Sequence, residues 1–151
     1  MDLDHIVENI KDLAIETIEH GQREKVVVSF SESPSKLWIQ LDSKKSQLDA
    51  LLNTMFEYYS SVTEDKLKVQ EVKEGQLVAA VSEDESWYRG KVVVSEGNDV
   101  TVMFVDYGNT EVVEVECLRK VPSDFCKLSV QVSSYFNCSE SFILCSVNSG
   151  Y

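Results

Sequence analysis

The sequence predicts a mainly β fold with helices, of the α+β class, in which a small antiparallel barrel is inserted into a second lobe split around it. Three observations predict this. Between residues 76 and 118, short β-branched and aromatic runs follow one another, separated by turn residues. Ahead of them stands a strand-turn-strand pattern flanked by two stretches of helical periodicity, and behind them stand two more strand patterns. Neither flank completes a domain alone, so the simplest arrangement pairs them across the insertion.

Taken in order, Ile6, Ile10, Leu13 and Thr17 or Ile18 recur at helical spacing and Gly21 follows as a stop, which predicts a helix over 3–20. Residues 25–30 are rich in β-branched side chains, Ser33-Pro34-Ser35 supplies a turn, and Leu37, Ile39 and Leu41 alternate. This is a β-hairpin. Over 44–62 the apolar positions Leu48, Leu51, Leu52, Met55, Phe56 and Tyr59 keep the i, i+3, i+4, i+7 rhythm, so a second helix follows with Ser43 as its cap. Residues 63–73 read as a charged link.

The barrel strands are expected at 76–81, 87–94, 100–106 and 110–115, with a short last piece near Leu118. Glu96-Gly97-Asn98-Asp99 and Gly108-Asn109 provide turns tolerant of positive φ. This is a tightly wound meander of the SH3-like type. Beyond Pro122, 128–136 and 142–147 read as strands separated by a polar run. The organisation expected is therefore 1–66 for the first part of the split lobe and its linking helix, 67–121 for the barrel, and 122–151 for the strands that complete the lobe.

With 43% hydrophobic and 26% charged residues the chain is globular, and 26 acidic against 14 basic side chains give a formal charge of -12. That balance repels nucleic-acid phosphates and favours cationic partners such as a basic peptide, although on charge alone it reads equally as a means of keeping the domain in solution. Cys117, Cys126, Cys138 and Cys145 contain no Cys-x-x-Cys pair, and His5 and His20 lie far from them, so no metal site is expected. With no export signal and no apolar run of membrane-span length, the expectation is an intracellular protein with reduced cysteines.

Two aromatic words carry the chemistry: Trp87-Tyr88-Arg89-Gly90 and Phe104-Val105-Asp106-Tyr107-Gly108-Asn109. They resemble the signature of a Tudor domain. The order helix, hairpin, helix, barrel, strands is similar to that of the extended Tudor domain, in which the barrel is inserted into a staphylococcal-nuclease-like lobe of the OB type. The resemblance implies a non-catalytic binding module without a cofactor, whose aromatic cage holds the methylated arginine of a peptide tail. A methylated guanidinium has lost donors but kept its charge, so aromatic faces hold it where hydrogen bonding alone would not.

Carried over by motif, Tyr88, Phe104 and Tyr107 match three walls and Asn109 matches the amide that bonds the guanidinium. The fourth wall falls at Val81, which is not aromatic. On residue pattern alone, Tyr88 and Phe104 read rather as barrel core and Asn109 as a turn residue; the resemblance reverses this in favour of the cage. Strict alternation puts Phe104 and Tyr107 on opposite faces, so a shared cage requires a bend near Asp106. Trp87 is expected to pack into the barrel, the cage rings to be partly solvent-facing, and Arg89 and Asp106 to form an architectural pair worth little on a surface. Glu83, Asp84 and Glu85 read equally as solvated loop charges or as rim charges that would steer a basic peptide.

For the family the resemblance further implies arginine-rich tails of Piwi-type proteins, a longer scaffold of the piRNA pathway, and a cytoplasmic location in perinuclear germ granules. An unmethylated arginine, with five donors, has less need of a full aromatic box, so either form is compatible with the defective wall. A nuclease reading fails on the hairpin, which offers Glu32 and no arginine ahead of Asp42. An RNA-binding OB-like lobe and a methyl-lysine reader remain as alternative functions.

Overall fold

The computed structural model describes residues 5–15, 23–62, 65–138 and 141–145. Its elements are β1 (Ile6–Val7), β2 (Val26–Ser33), β3 (Lys36–Leu41), α1 (Lys45–Ser61), β4 (Leu77–Val81), β5 (Trp87–Glu96), β6 (Asp99–Phe104), β7 (Thr110–Glu114), β8 (Leu118–Arg119), β9 (Val121–Pro122), β10 (Val132–Cys138) and β11 (Ser141–Cys145), with short 3-10 turns between them. The fold is the expected one: mainly β, with a barrel and a second sheet.

The barrel sheet runs in the order β7-β6-β5-β4-β8 and the second sheet β11-β10-β3-β2. In the second, β10 pairs antiparallel with β3, Ser134 opposite Trp38, so strands from before and after the barrel lie side by side. The β5–β6 hairpin closes on Gly97, whose φ of +62° is accessible to glycine at no steric cost. Val78, Ala80, Val92, Val100, Val102, Phe104 and Leu118 fill the barrel. The opposite face of β4 puts Leu77 and Ala79 into a second cluster with Ile10, Leu13, Trp38, Met55, Tyr59, Val105 and Phe125, where barrel, helix and second sheet meet. The two clusters follow from strand period: even positions of β4 face one, odd positions the other.

Three expectations are corrected. The helix over 3–20 is absent from residues 5–15, while 16–20 lie outside the described residues. The backbone there bonds to distant segments instead: the carbonyls of His5, Glu8 and Ala14 accept from Ser123, Leu77 and Val130 at 2.6, 2.8 and 2.7 Å. Ile10 and Leu13 are still buried, because a short strand followed by a 3-10 turn presents them inward as a helix would. Ser43 does not cap α1; it lies within a 3-10 turn, Asp42–Lys44, and the cap residue is Lys44 without a side-chain bond. The charged link is part of the fold, since Leu67 and Val69 are buried and Leu67 accepts the amide of Lys120 at 2.8 Å.

Candidate functional site

Strand β5 carries Trp87 and Tyr88 on opposite faces, as period two demands. Trp87 turns toward α1, its ring 4.7 Å from that of Tyr59, and the Arg119 guanidinium lies over it at 5.8 Å. It therefore packs outside the barrel, between barrel and helix, rather than inside as expected. Tyr88 points the other way, toward Phe104 at the end of β6.

The bend that a shared cage requires is present. After Phe104 the chain turns at once: the amides of Tyr107 and Gly108 both donate to the Phe104 carbonyl, at 3.1 and 2.8 Å, and the Phe104 amide donates to the Asn109 carbonyl at 2.9 Å. Gly108 has φ +98°, and a methyl group there would come within 2.4 Å of Trp38 Cγ, so both conformation and space demand glycine. The turn swings Tyr107 back beside Tyr88. Ring centroids stand 5.4 Å apart for Tyr88 and Tyr107, edge to face, and 5.2 Å apart for Tyr88 and Phe104.

These rings line a cleft of about 310 Å³. Asn109 lines it as well, and among the described residues its side-chain amide has no hydrogen-bond partner. Among the described residues the charged lining is acidic: Asp84 and Glu111, with no lysine or arginine. Asp84 accepts the Tyr88 hydroxyl at 2.5 Å, and Glu111 accepts the Ser82 hydroxyl at 2.7 Å. The loop that presents Asp84 holds Glu85 at φ +65°, a conformation uncommon outside glycine and asparagine. Burial and the bond to Asp84 push the Tyr88 phenol up to about 12. Burial, with the neighbouring Tyr88 and Asp106, raises that of Tyr107 still further. Both phenols are therefore neutral at physiological pH.

Two expected features of the site differ. Val81 does not line the cleft. It pairs with Trp87 and lies in phase with Leu77 and Ala79, on the side of β4 away from Tyr88, and Ser82 borders the cleft instead. Phe104 is not solvent-facing: at 2% exposure it belongs to the barrel core while showing one face to the cleft.

Sequence reasoning missed Glu111, Ser82, Ser29 and Phe30, all of which border the cleft. Glu111 could have been read from its phase with Asn109. Phe30 had no local signal, since it arrives from the second sheet. A larger cavity of about 570 Å³ lies between the N-terminal segment and the 69–76 region. Lys11, Lys73 and Lys120 offset Glu8, Glu71 and Glu74 there, and among the described residues no aromatic side chain lines it. Among the described residues no group of three His, Cys, Asp or Glu side chains could hold a metal, and no helix is long and apolar enough to cross a membrane.

Arg89, the next residue along β5, is completely buried. Its Nε and Nη2 donate to Asp106 Oδ2 and Oδ1 at 2.8 and 2.6 Å. The remaining donors reach the carbonyls of Phe125, Leu128 and Ser129 at 3.2, 2.6 and 3.0 Å. The expected ion pair exists, but it is internal and ties the cage turn to the segment leading into β10.

The family model for the Tudor domain matches residues 18–138. The chain is 33% identical over 131 residues to Tudor domain-containing 6 of Danio rerio, covering 82% of this chain and 6% of that protein. Its fold is similar to the extended Tudor domain of Drosophila melanogaster Papi, solved in complex with a Piwi N-terminal peptide in its me2s form. There the TM-score is 0.71 at 32% identity, covering 75% of this chain and 59% of that one. The extended Tudor domain of BmPAPI, solved in complex with sDMA, gives a TM-score of 0.74 at 32% identity, covering 79% and 66%. The chain thus spans only a small part of that curated relative. On the family match, which takes in most of the chain, this protein belongs to the Tudor domain family, with an extended Tudor architecture.

Proposed function

We propose that this chain is a non-catalytic module that binds arginine-bearing peptide tails, with Tyr88, Phe104, Tyr107 and Asn109 as the cage. The observation that carries the reading is the convergence of three aromatic rings and one unpartnered amide in a cleft whose charged lining, among the described residues, is acidic. A guanidinium suits each component. Its faces and methyl groups lie against the rings, its remaining N–H groups donate to Asn109 and to Asp84 or Glu111, and its charge is opposed by no local cation. A net charge of -12 draws basic tails toward the domain.

Piwi-type proteins are the partners this reading favours, since similar domains have been solved with a Piwi peptide and with sDMA. A scaffold role in piRNA-mediated silencing, in cytoplasmic germ granules, follows as part of the same proposal. Calorimetry with an arginine-glycine peptide in unmethylated, symmetrically dimethylated and asymmetrically dimethylated forms, beside a trimethyl-lysine peptide, tests it. Binding of the arginine peptides ahead of trimethyl-lysine supports the reading, whereas preference for trimethyl-lysine, or no binding, rejects it.

A further inference from the structure

With Val81 turned away, the barrel offers three rings, and the next aromatic side chain bordering the cleft is Phe30, from β2 of the other sheet. Its position depends on an irregularity in the hairpin. Val28 pairs with Ile39 and Phe30 with Trp38, the next residue along β3, so Ser29 is an extra residue in β2. Such a bulge re-aims the side chains that follow it. Without it, Phe30 would stay in phase with Val26 and Val28, which are 40% and 52% exposed. With it, Phe30 packs against the cluster containing Trp38 and shows its free part to the cleft.

The bulged residue is also pinned to the cage turn. The Ser29 hydroxyl donates to the Tyr107 carbonyl at 2.6 Å and lies 3.2 Å from the Trp38 carbonyl. Among the described residues Phe30 makes no ring contact with Tyr88, Phe104 or Tyr107, so it borders the opening without stacking shut on them.

We propose that Phe30 is the fourth wall of the cage, delivered by the second lobe, and that it sets the preference for methylated over unmethylated arginine. This rests on the arginine-peptide reading of the cleft. The ring adds an apolar, electron-rich face, which favours the less hydrated, methylated cation over one that keeps all its donors.

The test uses the full chain and an arginine-glycine peptide, symmetrically dimethylated or unmethylated, titrated against wild type, Phe30→Leu, Phe30→Tyr and Tyr107→Ala. Leucine keeps the apolar packing while removing the ring, and tyrosine keeps the ring; melting curves confirm that each variant folds. Phe30→Leu should weaken the dimethylated peptide by about 3- to 30-fold, the unmethylated one less, and Phe30→Tyr should bind as wild type does. Two results overturn the proposal while leaving the cage in place: Phe30→Leu binding both peptides as wild type does while Tyr107→Ala fails, or leucine and tyrosine weakening both peptides equally. If wild type binds neither peptide, the reading of the cleft falls and this proposal with it.

Discussion

Arg89 and Asp106 meet through two hydrogen bonds, 2.8 and 2.6 Å, with both side chains out of contact with solvent. The Asp106 carboxylate also accepts the Gln131 amide at 3.0 Å, and its backbone carbonyl accepts the Gln40 side chain. One pair of residues thus joins β5, the cage turn, β3 and the segment entering β10. It anchors the turn that carries Tyr107 and leads to Asn109, because Asp106 lies within that turn.

Removing one partner leaves a buried charge without its counter-ion. Asp106→Ala should therefore lower stability by about 3 to 5 kcal/mol, far more than a surface pair would. Arg89→Lys should also destabilise, since a single ammonium cannot reproduce the fork and still reach the carbonyls of residues 125, 128 and 129. Urea denaturation of both variants checks this, and a loss below about 1 kcal/mol would contradict the internal position of the pair.

A fragment limited to residues 71–124 removes the acceptors that Arg89 uses beyond Asp106 and uncovers Leu77, Ala79 and Val105. It should melt well below the full chain or aggregate. Equal melting temperatures would show that barrel and second sheet are independent.

Trp87 and Val81 share a face of the barrel wall directed away from the cleft. Trp87→Ala should cost about 3 kcal/mol by opening the seam with Tyr59 on α1, without changing the peptide affinity of the folded fraction. Val81→Phe should leave the ratio of affinities for dimethylated and unmethylated peptide unchanged. A raised ratio would place residue 81 in the cage and contradict the register of β4 with β5.

The tyrosine shifts give a pH dependence. A phenol whose folded pKa lies above its unfolded value near 10 stabilises the fold fully below pH 10 and loses that contribution as pH rises through the folded value. For Tyr88 the window runs from about 10 to about 12. Ultraviolet titration should show Tyr88 ionising late, Tyr88→Phe should flatten part of the alkaline loss of stability, and cleft occupancy should be insensitive to phenol ionisation between pH 7 and 9. Titration of Tyr88 near 10 would contradict its burial and its bond to Asp84.

The barrel was legible in the sequence because its signals are local: β-branched runs, a turn at Gly97-Asn98, and the word Asp106-Tyr107-Gly108-Asn109. The pairing of β3 with β10 was also accessible, since each flank left unsatisfied edges. The N-terminal helix was misread because Ile6, Ile10 and Leu13 fit helical spacing, whereas their neighbours' carbonyls are committed to the amides of residues 77, 123 and 130. Period alone cannot register such long-range partners. The site shows the same division. Tyr88, Phe104, Tyr107 and Asn109 lie in two short words and come together through one turn. Phe30 lies 58 residues before Tyr88 and depends on a single bulge, which no alternation pattern announces.

The most direct test of the central claim is a calorimetric titration of the symmetrically dimethylated arginine-glycine peptide into the full chain and into Asn109→Ala. Asn109 makes no side-chain bond within the described fold, so its removal should leave the melting temperature unchanged. Saturable one-to-one binding by wild type is expected, with a clear loss, about 10- to 150-fold, in the variant, as for one hydrogen bond to a charged group. Equal affinities for wild type and a folded Asn109→Ala, or no binding by wild type, would contradict it.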